Sequence, residues 1–198
     1  MSETPIADPP LPPAPGAGRY LALDFANSAI ALPGGQFADA LGTTASTNRW
    51  LTERGLAPAG VEVQEMCATQ LRALREHIRA LFAARVAGLP VLPTALSAVN
   101  DAMSRTPTAA LLQWDSENGP YRAALCPPNE VLDRALATLA DNTADLLTSA
   151  DADSLTTCAS PPCNRYLLRH GRRHWCSTRC GDRARAARAY ARRTQQAD

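Results

Sequence analysis

The 198-residue chain holds six cysteines, and four of them share one stretch: Cys158 and Cys163, then Cys176 and Cys180. The spacing is C-x4-C, twelve residues, C-x3-C. Two close pairs at this separation let one hairpin bring four thiolates to the corners of a tetrahedron around Zn²⁺. Pro161 and Pro162 favour a tight turn between the first two ligands. Four thiolates fill the tetrahedron, so the expected cofactor is one structural Zn²⁺ with no open position for catalysis. The zinc deaminase pattern, which needs a Glu after the first ligand and then P-C-x-x-C, is absent. The alternatives are four unmetallated thiols, a redox pair, or a ligand set in which His170 or His174 replaces a cysteine. Histidines in an Arg-rich hairpin more often face solvent or phosphate. Cys67, on an apolar helix stripe, and Cys126, at a strand end, read as small core residues, and His77 reads as structural.

The second chemistry-bearing feature surrounds the first. All 20 basic residues are Arg, which removes Schiff-base and P-loop lysine chemistry. Base composition of the coding sequence is the bland explanation for the lack of Lys, but Arg is also the residue suited to bidentate phosphate and guanine contacts. Arg165, Arg169, Arg172 and Arg173 lie between the cysteine pairs, and Arg179, Arg183, Arg185, Arg188, Arg192 and Arg193 lie at or after the last one. Arg185, Arg188 and Arg192 fall on one face of a helix, with Ala184, Ala187 and Ala191 as a slim opposite stripe. Alanine favours helix but buries little, so the metal must hold this element in place. Ser177 is placed to cap it, with Cys180 in its first turn and an end near Arg193. Tyr166–Leu168, the turn at His170–Arg173, and His174 with Trp175 read as strand, turn, strand between the ligand pairs.

The net charge of +1 conceals this arrangement. Residues 158–198 carry ten Arg against two Asp, a balance of +8, which leaves −7 for residues 1–157. A basic, metal-pinned end on an acidic body points to a nucleic-acid partner.

The elements that must position this end read as follows. Residues 1–18, rich in Pro, are expected to be a disordered leader. Tyr20–Phe25 fits a strand, and residues 39–54 a helix ending at Gly55. Residues 61–87 form the clearest helix, with Leu71, Leu74, Ile78, Leu81 and Phe82 at helical spacing and Gly88 and Pro90 as stops. A helix over 93–104, a hairpin of 109–115 with 121–126 across Asn118-Gly119, and a helix over 129–147 complete the body. The fold class expected is α+β: a mostly helical N-terminal domain over 19–150 with a small antiparallel sheet, then a treble-clef zinc finger over 155–195. No nucleophile–base pair, glycine-rich phosphate loop or HExxH occurs, so no enzyme is expected. Asp24 and Asn27 are candidates for a small-molecule pocket, or equally for turn caps. No apolar run is long enough for a membrane span, and the acidic, Pro-rich start lacks the pattern of a signal peptide. A cytoplasmic protein with no membrane partner is expected.

The residues also resemble a known family. Trp175-Cys176-Ser177, the Cys180-Gly181-Asp182-Arg183 run and the Arg/Ala helix after it resemble the CGNR zinc finger, named for Cys-Gly-Asn-Arg. Leu23-Asp24-Phe25-Ala26-Asn27-Ser28 resembles the opening of the ABATE domain that precedes this finger. The family is regarded as stress-induced transcription regulators with a treble-clef finger suggested to bind DNA. The resemblance implies Cys158, Cys163, Cys176 and Cys180 as the ligands. Asp182 departs from the motif: facing phosphate it would weaken binding, and pairing with Arg183 or Arg185 it would cost little. The expectation is a DNA-binding transcription regulator acting on duplex DNA, whose body senses a small-molecule effector or forms a homodimer. The other readings are a protein-interaction module whose basic finger docks an acidic partner or its own body, and an RNA or single-strand binder.

Overall fold

The computed structural model describes residues 12–105, 111–123 and 131–195. Residues 1–11 of the leader expected over 1–18, and Cys126, lie outside the described residues. The α+β class is borne out: among the described residues helices dominate, with three separate two-stranded antiparallel sheets.

The body opens on α1 (Leu21–Ala26), where a strand was expected. Ala22, Leu23, Phe25 and Ala26 are all buried, so both sides of the segment face the core, and alternation could not tell a buried turn of helix from a strand. A hairpin follows that the sequence reading missed, β1 (Ala29–Ala31) with β2 (Phe37–Asp39), in register Ala29 to Asp39. The next helix therefore starts later than residue 39. In α2 (Thr44–Glu53), Thr43 accepts from the Ser46 amide at 3.1 Å while Ser46 Oγ accepts from the Thr43 amide, a capping box that sets the first turn.

Helices α3 (Glu65–Ala87), α4 (Pro93–Met103) and α5 (Val131–Thr148) follow the periodicity expected of them. Gly88, left-handed at φ 65°, ends α3. The expected hairpin is present as β3 (Leu111–Asp115) and β4 (Gly119–Ala123), with its turn at 116–118 and Gly119 already paired with Asp115. The core joins α1, α3, α4 and α5 around Leu23, Phe25, Leu71, Ile78, Phe82 and Leu139.

A 3₁₀ turn (Ala150–Ser154) leads into β5 (Leu155–Thr157), which pairs with β6 (Tyr166–Leu168). This corrects the expected hairpin: the partner of Tyr166–Leu168 lies before the first cysteine, not after the turn. Leu155, Tyr166 and Leu168 belong to the main core, which rewards that pairing with burial. The C-terminal helix α6 (Thr178–Gln195) buries only Cys180 and Gly181.

The stretch read as leader is also not loose throughout. Ala14 is buried against the cysteines, Pro15 accepts from the Leu168 amide at 2.8 Å, and Gly16 sits at φ 94° with Leu168 in the space a Cβ would need. Proline-rich composition argues against a core of its own, yet it does not prevent docking on another.

Candidate metal centre and basic surface

Cys158, Cys163, Cys176 and Cys180 are all buried, and their sulfur atoms lie within 4.8 Å of one another. The Sγ separations are 3.7 Å for Cys163 and Cys176 and 3.5 Å for Cys176 and Cys180. A regular tetrahedron with Zn–S of about 2.3 Å has S···S edges of about 3.8 Å, so the donor set fits zinc closely. The first two ligands sit on a turn after β5, closed by Cys163 N–H to Ser160 O at 3.0 Å, and the Pro161–Pro162 bond in it is cis. The third precedes α6 and the fourth lies in its first turn, where Ser177 Oγ accepts from the Cys180 amide at 3.2 Å. The cap expected from the sequence is therefore present.

The electrostatics agree with a dication. Hydrogen bonds from Cys158 and Cys163, with the Arg165 guanidinium behind them, hold the Cys176 thiol well below its usual range. Donating to its neighbours, and burial, push Cys163 up. For Cys158 the bond accepted from Cys163 works downward, but donation to Cys176 and burial outweigh it and push the thiol up to about 11. Thiols this crowded cannot all ionise without a cation among them; zinc supplies it and releases their protons.

Two arginines read as surface cations are turned inward instead. Arg165 is 3% exposed and donates through Nη1 to Cys176 Sγ at 3.6 Å and through Nη2 to Pro12 O at 2.9 Å. Arg183 is half-buried and donates through Nη2 to Cys180 Sγ at 3.5 Å and Ser160 O at 2.8 Å. Zn²⁺ with four thiolates carries −2, and these two guanidiniums balance it within the fold. Their assignment to a nucleic-acid surface is corrected accordingly. An arginine two residues from a ligand, or three residues beyond one on a helix, was the signal available in the sequence.

Arg169, Arg172, Arg173, Arg179, Arg185, Arg188, Arg192 and Arg193 are exposed. Arg173 donates to the carbonyls of Trp175 at 3.1 Å and Cys176 at 3.5 Å. Trp175 packs on the cysteine cluster, and Arg185 and Arg188 both lie over its ring at 5.6 Å. Gly181 lies beneath that ring, where a Cβ would stand 3.2 Å from Trp175 Cε3. Asp182 pairs with Arg185. His170 and His174 are exposed and outside the sulfur cluster.

Asp24 and Asn27 both line a cavity at the junction of body and finger. Asp24 is paired with Arg54. Asn27 is buried and uses its amide on the finger: Nδ2 donates to Tyr166 O at 2.8 Å and Oδ1 accepts from Tyr166 N at 2.7 Å.

Comparison with family models agrees with this geometry. Residues 20–150 match the ABATE model, described as "Putative stress-induced transcription regulator". The chain belongs to the ABATE family. Residues 155–193 match the CGNR zinc finger, so the ABATE domain carries its finger directly behind it. A search of curated proteins found no match. The four cysteines of the CGNR finger form its one structural zinc site. Among the described residues no helix is long and apolar enough to cross a membrane.

Proposed function

We propose that this ABATE–CGNR chain is a transcription regulator that binds duplex DNA through α6 and the turn at 169–173, with the zinc finger arranged as a treble clef. The observation that carries this reading is α6 itself. Beyond Gly181 no residue of it is fully buried, yet it runs to Gln195 as a helix about 27 Å long presenting Arg185, Arg188, Arg192 and Arg193. A helix without a packed face needs a partner, and a cationic one suits phosphates. Zinc fixes its base, and Trp175 fixes the aim of Arg185 and Arg188.

Single-strand binding has less support. That mode stacks bases on aromatic rings, but Tyr166 is buried and the Trp175 ring is taken by two guanidiniums, leaving only Tyr190 exposed in the finger. Regulation by a small molecule sensed in the body fits the junction cavity, and a cytoplasmic location fits a regulator of transcription.

The test is fluorescence anisotropy of the zinc-loaded full chain on a labelled duplex. With about five phosphate contacts, affinity should fall roughly 500-fold between 50 and 200 mM salt. Duplex binding that is absent, or flat with salt, rules the reading out.

A further inference from the structure

The junction cavity has a volume of about 420 Å³, within the range of small-molecule sites. One wall belongs to the body, with Ile30, Leu32, Ala38 and Trp50 as its apolar part. The finger contributes Arg165 and Arg179 to the lining.

The two carboxylates that line it are already matched. Asp24 accepts from Arg54, and Asp39 is gripped by Arg75 through bonds of 2.6 and 2.9 Å. Three guanidiniums line the space, those of Arg54, Arg165 and Arg179; Arg54 is further paired with Glu53, and Arg75, behind Asp39, with Glu76. Arg165 is the unusual member. It is 3% exposed, its two terminal nitrogens serve a metal-ligand sulfur and a backbone carbonyl, and its Nε is buried with no acceptor. A buried donor left unmet is costly, which favours an occupant that brings an acceptor.

We infer that this cavity binds a small carboxylate with an apolar body, and that the bound carboxylate draws Arg165 away from Cys176 and loosens the zinc finger. The apolar body lies along Ile30, Leu32 and Ala38, and the carboxylate faces the guanidiniums of the finger wall. Because Arg165 bonds Cys176 Sγ and Pro12 O together, a shift of its guanidinium reaches the metal and the N-terminal segment at once. Coupling of this kind is reciprocal, so zinc and carboxylate weaken each other's binding. The inference names the effector class of the regulator proposed above and rests on that reading for its biological role, though not for its binding chemistry.

The test is calorimetry of the zinc-loaded full chain with benzoate, salicylate and hexanoate, using benzamide and benzyl alcohol as neutral counterparts. The expected result is saturable one-to-one binding of at least one carboxylate and none of the neutral compounds. Ala38→Leu, which narrows the cavity without removing a charge or hydrogen bond, should weaken that binding about tenfold. Saturating carboxylate should speed zinc transfer to a chromogenic chelator about fivefold or more. No saturable binding by any of the three, or binding unaffected by Ala38→Leu, overturns the site. Binding without a change in zinc release overturns the coupling. Salt-sensitive duplex binding with no carboxylate binding overturns this inference alone, and the converse overturns only the DNA reading.

Discussion

Residue by residue, the Cys180-Gly181-Asp182-Arg183 run divides its work. Cys180 is a ligand, Gly181 leaves room for Trp175, Asp182 holds Arg185, and Arg183 donates to the Cys180 sulfur. Donors to ligating groups tune metal affinity. Arg183→Met should therefore lower zinc affinity about tenfold in competition with a chromogenic chelator, with little change in helix content. Asp182 pairs with Arg185, so its departure from Asn is mild rather than disabling. The pair is exposed and weak, and Asp182→Asn should tighten duplex binding about two- to fivefold, read by anisotropy at fixed salt.

Between elements, short polar clamps join what the chain keeps apart. Asn27, just past α1, binds both backbone groups of Tyr166 in β6. Asn27→Ala leaves that N–H and C=O buried and unmet, at a cost of about 2–4 kcal/mol in urea unfolding. Asp39, the last residue of β2, is clamped to Arg75 on α3. Burial alone would raise the Asp39 pKa, but the bonds from Arg75 and from the Leu41 amide outweigh it and leave the group below its ordinary 3.8. A lowered folded-state pKa means the unfolded chain takes up the proton first. The clamp's contribution is then fully present above about pH 4 and is lost as pH falls through the lowered value. The stability gap between the parent chain and Asp39→Asn should shrink correspondingly in unfolding curves at pH 6, 4 and 3.

As a whole molecule, the chain is not two beads on a string. Leu155, Tyr166 and Leu168 of the finger's hairpin sit in the body's core, and Phe82 meets Tyr166 edge-on at 5.5 Å. Arg79 of α3 donates to Asn164 O at 3.1 Å. Removing zinc should therefore lower the main melting transition of the full chain by about 10 °C, as a loss of roughly 4 kcal/mol would in a chain of this size. A melting curve with an unchanged main transition would contradict this integration. A fragment that begins at residue 155 lacks the core into which Leu155, Tyr166 and Leu168 pack, so it is a poor test of whether the body restrains the finger.

The ligand set, the α+β class, helices α3 to α6 and the basic end were legible in residue spacing alone. Metal ligands, helix caps and amphipathic stripes are local patterns, and local patterns survive in one dimension. What escaped depends on contacts between distant residues. Tyr20–Phe25 reads equally as strand or helix until α3 and α5 surround it. The partner of Tyr166–Leu168 is decided by core burial, and the docking of Ala14 by the finger it covers. Composition could count ten C-terminal arginines, but burial tells the two that balance the negative zinc–thiolate cluster from the eight exposed to solvent. A side chain's charge is written in the sequence; whether that charge faces solvent or a buried sulfur is decided by what folds over it.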